Sequence, residues 1–173
     1  MANTKISALT TDSSPDRTAD YAPTYDASAV ATKKVLLSDF GIYSMSFYIS
    51  NAQSPADSTT YYLSPYGGAG LPSTSAGHRL YVPRTGKIIK AFIAGGCTTG
   101  TSETSTIYVR LNDTTDTTIV STLAFNVSPI VFSNTSMSVA VTANTDFLNV
   151  KWVSPAWVTN PTNVSFSVTL WIA

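Results

Sequence analysis

The C-terminal stretch VSFSVTLWI, residues 164–172, decides the fold class of this 173-residue chain. Its apolar residues occupy every second position, and Ser, Ser, Thr and Trp stand between them. Successive side chains of a β-strand point to opposite sides, so this period of two predicts a strand with one buried side and one outer side. Trp171 falls on the outer side, where a monomer would expose it. Because buried aromatic side chains anchor interfaces, we expect a partner subunit to cover Trp171.

Similar alternation recurs upstream, and turn-forming residues separate the runs. Apolar residues alternate with others at residues 107–111, 119–125, 137–141 and 148–152, and shorter candidate strands lie at 42–49, 60–63, 79–82 and 87–93. Turn residues stand at 66–68, 95–96, 112–113, 144 and 160–161. No helical period extends over eleven residues. The sequence therefore predicts an all-β domain, an antiparallel β-sandwich of the jelly-roll type with about eight strands.

The composition limits the classes of function. Hydrophobic residues make up 43% of the chain, enough for a core, while charged residues make up only 12%. Polarity comes instead from 23 Ser and 26 Thr residues. Ten basic residues balance ten acidic ones, which argues against a nucleic-acid partner held through phosphate contacts. One Cys and one His exclude a disulfide framework and a Cys/His zinc site.

The first forty residues differ from the rest. They contain short apolar clusters at residues 6–9 and 35–37, five of the ten acids, and no sustained helical or strand period. Such a segment cannot offset the ordering cost of about 1–2 kcal/mol per residue by its own burial. We expect residues 1–40 to be either a disordered tail or an extended arm that orders against something else, and residues 41–173 to form the sandwich.

The sequence contains no recognisable secretory signal or membrane span. Residues 1–11 lack an apolar core, and no stretch approaches the roughly 18 apolar residues that a span needs. We therefore expect the chain to be made in a cytoplasm, with Cys97 reduced and without membrane insertion.

Catalytic and metal-binding patterns are weak. His78 is the single candidate for a neutral-pH base, and no nucleophile elbow accompanies it. Glu103 is the single glutamate, so a pair of catalytic carboxylates is unsupported. Asn112, Asp113 and Asp116 offer oxygens to a calcium ion, but a plain hairpin turn explains them better. We predict a protein that is not an enzyme, with no catalytic residue, metal or cofactor.

Aromatic residues supply the remaining candidate for a binding site. Exposed aromatic rings stack on sugars, so a glycan-binding surface is one interpretation of four residues: Tyr61, Tyr62, Tyr66 and Trp157. The alternative is that these rings pack in the core or at a subunit interface.

The N-terminal segment resembles a leader found on tailed-bacteriophage virion proteins. The similarity rests on KISAL at residues 5–9 and on TKKVLLSDF at residues 32–40, separated by an Asp-rich interval. In that group the leader precedes a fibre or knob domain and docks the protein on the particle. The resemblance implies that seven residues anchor this chain: Lys5, Ile6, Leu9, Lys33, Lys34, Val35 and Leu36.

The remainder is similar to the trimeric jelly-roll knobs, of tumour-necrosis-factor type, that phage head fibres and decoration proteins carry. The similarity rests on RLYVP at 79–83, GKI at 86–88, YVRLNDT at 108–114, PAW at 155–157 and NPTNV at 160–164. The resemblance implies a homotrimer on the exterior of the virion, bound to the capsid by its arm. The alternative is a knob of a tail fibre that recognises a host surface glycan.

Overall fold

The computed structural model describes residues 21–26, 31–36, 41–67, 70–98, 103–125 and 129–173, and of residues 21–26, 31–36 and 50–53 it describes the backbone. Contacts divide the chain after Ile42 into two compact units, which we take in turn.

The first unit contains a β-hairpin. Strand β1 (Tyr21–Asp26) pairs antiparallel with β2 (Ala31–Leu36), with Tyr21 opposite Leu36 and Asp26 opposite Ala31. The sequence pattern had not indicated these strands, because Pro23 interrupts β1 and two adjacent lysines interrupt the alternation in β2.

The second unit is an antiparallel β-sandwich of two five-stranded sheets. Sheet I contains β3 (Tyr43–Gln53), β6 (Gly86–Thr98), β9 (Ile130–Asn134), β10 (Val139–Val141) and β12 (Thr162–Ile172). Sheet II contains β4 (Thr60–Leu63), β5 (Leu80–Tyr81), β7 (Thr104–Leu111), β8 (Thr115–Ala124) and β11 (Phe147–Val153). The predicted all-β sandwich is confirmed. It has ten strands in the described residues rather than about eight, and β9 is the strand that corresponds to none of the predicted runs.

The strand order places the predicted C-terminal strand inside sheet I. The order is β10-β6-β12-β3, with β9 also pairing with β6. In sheet II the order is β4-β11-β7-β8, with β5 also pairing with β11. As the alternation predicted, Val164, Phe166, Val168, Leu170 and Ile172 of β12 are all buried. Antiparallel sheets of this kind bury one side and leave the other to water or to a partner.

An aromatic cluster joins the two sheets. Trp152 on β11 lies 5.3 Å from Phe166 on β12, between ring centroids, and 5.2 Å from both Phe125 and Tyr61. The rings adopt tilted, stacked and edge-to-face arrangements, which are favourable for aromatic pairs. Trp157 packs edge-on against Phe125 at 5.9 Å. The cluster therefore contains Tyr61 and Trp157, two of the four residues predicted to contact a glycan.

Two glycines that the sequence analysis assigned to a turn lie within β6. Gly95 and Gly96 pair with β12 beside an irregularity in its register, and a Cβ atom on Gly95 would overlap the Ser165 carbonyl oxygen and Phe166. Glycine is needed here because the neighbouring backbone passes too close for a side chain. The turn predicted at residues 95–96 was therefore wrong.

The turn predicted at Asn112 and Asp113 is correct. Both residues have positive φ, 52° and 58°, and Thr114 N–H donates to the Leu111 carbonyl at 3.0 Å. Two successive positive φ values are typical of the type I′ turn that joins tightly twisted strands. The turn projects Asp113 over the outer side of sheet II.

Candidate functional site

The predicted anchoring residues fall in two places. Lys5, Ile6 and Leu9 lie outside the described residues. Lys33, Lys34, Val35 and Leu36 lie on β2, where they pair in register with residues 24, 23, 22 and 21 of β1.

Two of the four glycan-contact candidates are buried. Tyr61 is 5% exposed and Trp157 is 6% exposed. The Tyr61 hydroxyl accepts a hydrogen bond from Ala56 N–H at 2.6 Å, and both rings belong to the aromatic cluster. Neither ring presents a free face to a sugar, so the glycan interpretation is corrected for these two residues. Their burial follows from the apolar core that they close.

The other two candidates border the outer side of sheet II. Tyr66 is 74% exposed, and its hydroxyl donates to the Arg79 carbonyl at 3.3 Å. Tyr62 is half-buried and lies directly across from Lys151, which in turn lies across from Tyr108. The Lys151 Nζ is 5.2 Å from the centroid of the Tyr108 ring, within the range of a cation–π contact. Nothing in the sequence identifies Tyr108 and Lys151 as neighbours, because only the register between strands brings them together.

Ion pairs cover the rest of this side, which we call the ionic face. Asp113 accepts hydrogen bonds from Arg79 Nε at 2.9 Å and from Asn149 Nδ2 at 2.5 Å. Asp116 pairs with Arg110 at 3.2 Å and with Lys151 at 2.7 Å. The ionic face comprises five charged residues and three tyrosines: Arg79, Arg110, Lys151, Asp113, Asp116, Tyr62, Tyr66 and Tyr108.

Asn149 on β11 is a buried polar residue that adjoins the ionic face through Asp113. It is 0% exposed, and its Oδ1 has no hydrogen-bond partner among the described residues. Arg110, its partner across the strands, also has a buried Nε without a partner there. Asn149 therefore depends on Asp113 for its hydrogen bonding, since a buried polar group without a partner costs about 1–3 kcal/mol.

The outer side of sheet I differs sharply, and we call it the low-charge face. Its outward positions, in the part of the chain that the structure describes, include three cross-strand rows. The rows are Val131–Ala94–Ser167–Tyr48, Ser133–Phe92–Thr169–Ser46 and Lys90–Trp171–Ser44. Apolar and aromatic side chains therefore share these rows with small hydroxyls, and Lys90 is the one charged residue in them.

Trp171 is half-buried rather than fully exposed. Phe92 lies edge-on to it with ring centroids 6.4 Å apart, and Lys90 Nζ is 5.1 Å from its ring centroid. Both neighbours come from β6, so its own chain shields part of the ring. Whether a partner subunit covers the rest stays a prediction.

His78 and Cys97 lie in different elements of the sandwich. His78 is in a single 3-10 turn, Ala76–His78, where burial lowers the pKa of its imidazole. Burial raises the pKa of the Cys97 thiol, which donates to the Phe125 carbonyl at 3.0 Å. Across the described ranges, no three His, Cys, Asp or Glu side chains are arranged to hold a metal ion.

Asp146 caps the loop before β11. Its carboxylate accepts hydrogen bonds from Asn112 Nδ2 at 2.8 Å and from Thr142 N–H at 2.7 Å. These bonds, chiefly the one from Asn112, lower the pKa of Asp146. Asn112 Oδ1 also accepts from Phe147 N–H at 3.0 Å, so this pair ties the β7–β8 turn to β11. Of the residues considered for calcium, Asn112 serves the turn, while Asp113 and Asp116 accept from side chains on the outer side of sheet II.

The described residues form no helix of the length and hydropathy that crossing a membrane requires. No protein-family profile matches the chain, and no curated protein sequence matches it. A solved structure described as the crystal structure of FLHE is similar, at 9% sequence identity and a TM-score of 0.43. The similarity covers 76% of this chain and 97% of that one.

Proposed function

We propose that this protein is a non-enzymatic component of a tailed-bacteriophage particle, a trimeric decoration protein or short head fibre. In this proposal, residues 1–40 bind the capsid and the sandwich is displayed on the exterior. The observation that carries the proposal is the hairpin of β1 and β2, which belongs to a separate unit from the sandwich.

A two-stranded hairpin of this size supports an anchoring role because it is marginally stable in water by itself. Two strands of six residues each supply too few apolar residues to offset the cost of ordering by themselves. Its open edges can extend a sheet of another protein through main-chain hydrogen bonds, while alternate side chains fill pockets. Three arms on one trimer would multiply a weak contact through effective concentration.

The test is binding to particles of the phage that encodes the chain. We expect mass spectrometry to find the chain in purified particles. We also expect the full chain, but not a variant lacking residues 2–40, to co-sediment with particles stripped of it. Retention of binding by a truncated variant that is folded by circular dichroism would contradict the anchoring role.

Two double variants separate apolar from ionic docking. We expect the change of Val35 and Leu36 to Asp to abolish co-sedimentation, because it replaces two adjacent apolar residues of β2 with charged ones. The matched change of Lys33 and Lys34 to Ala should weaken binding mainly at low salt, since exposed ionic contacts are screened.

A glycan-binding knob is the second candidate function, and the exposed Tyr66 ring beside the ionic face favours it. A sugar presents C–H groups to an aromatic ring and hydroxyls to charged side chains, and both kinds of group meet there. We expect binding on a glycan array to be lost in Tyr66→Ala and retained in Tyr66→Phe, which keeps the ring. Absence of binding across a broad array would refute this candidate.

A further inference from the structure

We propose that the low-charge face of sheet I is the surface through which copies of this chain associate. The inference rests on the proposed function only in that both require self-association, and it holds for an oligomer inside or outside a virion. It extends the expectation for Trp171 from one side chain to a whole sheet face.

The distribution of charge sets this face apart. The five strands of sheet I contain no Asp or Glu, and their charged residues are Lys87 and Lys90, both on β6. The ion pairs found in the described residues all lie on the ionic face of sheet II. Sheet sides that face water are usually polar, and the cores of protein interfaces are depleted in charge and enriched in aromatic residues.

The exposed side chains of the face have the character of an interface. Val131 is 62% exposed and Tyr48 is 42% exposed, at opposite ends of one cross-strand row. Phe92 and Trp171 add two half-buried rings in the neighbouring rows. Together these four side chains leave apolar surface in water that a partner would bury at about 25 cal/mol per Å².

The occupant that fits this face best is a second copy of the same chain. Between the apolar groups stand hydroxyls, such as Ser46 and Thr169, whose oxygens lie 3.0 Å apart with either able to donate. A hydroxyl both donates and accepts, so a face rich in hydroxyls can hydrogen-bond to an identical face. An acidic or basic partner would instead require a surplus of opposite charge, which the two lysines at one margin do not provide.

The shape of the low-charge face also favours a second copy of the chain as its partner. A shallow groove of about 240 Å³ is lined by Ala94 and Gly95 of β6, by residues 165–167 of β12 and by Tyr48 of β3. Trp171 and Phe92 stand toward the other end of the same face. Each copy therefore offers both a pair of rings and a recess, and one copy can place its rings against the recess of the next.

The area is sufficient for a stable contact. Strands β3 and β12 have eleven residues each. At about 3.4 Å per residue and about 4.8 Å between strands, a sheet four strands wide has a flat area of about 700 Å². Standard interfaces bury about 800 Å² on each partner, and side-chain relief adds to the flat value.

The test is the mass of the full chain by light scattering after size exclusion, with one negative charge added to either sheet. We expect the unmodified protein to have a multiple of 18.4 kDa. Ser167→Glu, at the centre of the low-charge face, should weaken association at least tenfold and shift the mass toward the monomer. Thr118→Glu, at an exposed position on β8 of sheet II, is the matched control and should leave the mass unchanged.

If Ser167→Glu fails to fold by circular dichroism, Ser133→Glu on the exposed rim of β9 decides in its place. A monomeric unmodified protein, or equal behaviour of the variants on the two sheets, would overturn the inference. A dimer that the Ser167 variant dissociates would support this interface while contradicting the proposed trimer. If the chain remains oligomeric but does not bind particles, that result contradicts the anchoring role of residues 1–40 and still supports association through the low-charge face.

Discussion

Replacing Trp152 with phenylalanine should leave the free energy of unfolding within about 1 kcal/mol of its original value, because two opposing effects nearly cancel. Trp152 is fully buried at the centre of the aromatic cluster. Its Nε1 has no hydrogen-bond partner among the described residues. The residue therefore contributes packing and carries the cost of an unpaired donor at the same time.

The magnitudes follow from the atoms that the change removes. Loss of three ring atoms leaves a cavity of about 40 Å³, which costs about 1 kcal/mol at roughly 24 cal/mol per Å³. Lost burial of two ring carbons costs about another 1–1.5 kcal/mol. Deleting a buried donor without a partner recovers about 1–3 kcal/mol. Trp152→Ala removes the whole ring and should cost about 3–5 kcal/mol.

Urea unfolding of the full chain, followed by circular dichroism at one fixed protein concentration, measures both changes. The two variants should differ by at least about 2 kcal/mol, with the phenylalanine variant close to the unmodified protein. A loss of 3 kcal/mol or more in Trp152→Phe would refute the reasoning. It would mean that the indole N–H is hydrogen-bonded in solution, or that ring packing outweighs the unpaired donor.

Three further substitutions test other parts of the sandwich. Gly95→Ala should destabilise the protein by about 3 kcal/mol in the same urea assay, because the added Cβ overlaps the β12 backbone. The control is Gly77→Ala, whose Cβ meets no atom within 4 Å and which should change the free energy of unfolding by less than about 0.5 kcal/mol. Asp113→Asn should cost about 1–2 kcal/mol, because the buried Asn149 amide loses its charged acceptor; an unchanged urea midpoint would contradict this role. Asp146 has a lowered folded-state pKa, so its stabilisation is present above the ordinary value of 3.8 and is lost as the pH falls through the folded-state pKa. Stability measured between about pH 5 and pH 2 should therefore fall more steeply in the unmodified protein than in Asp146→Asn, and equal slopes would count against it.

The sequence predicted the strands whose alternation is strict. Residues 164–172, 107–111 and 148–152 each became a strand with the expected buried side, because a sheet that covers a core forces a period of two. The Asn-Asp pair at residues 112 and 113 likewise predicted a turn, and both residues adopt the positive φ that such a turn requires. These signals are local, so a single sequence contains them.

The errors concern features that depend on distant parts of the chain. Gly95 and Gly96 resemble a turn in sequence, yet they lie in a strand because β12 approaches closely. Tyr61 and Trp157 have the residue types of a sugar-binding platform, but contacts with Phe125 and Trp152 bury them. Composition cannot distinguish an exposed ring from a buried one.

The candidate surfaces depend even more on pairing between strands. Lys151 lies 35 residues from Asp116 in the chain, and only the order β11-β7-β8 brings their charges to 2.7 Å. The concentration of ion pairs on sheet II and the scarcity of charge on sheet I become visible only when the pairing of the strands is known. Trp171 was the exception, because the sequence itself shows a large aromatic residue on the polar side of an alternating run.

The central position of β12 constrains the order in which the sandwich can fold. β3 is the first strand of the unit and β12 is the last, yet Tyr43 pairs with Ile172. Among the described strands, β12 is the full-length neighbour of β3 in sheet I, so β3 keeps an open edge until residues 162–172 have been synthesised. Closing so long a loop before it yields contacts slows folding, and an open edge in the meantime invites pairing with another chain. A nascent chain that has not yet produced β12 therefore needs shielding from its neighbours.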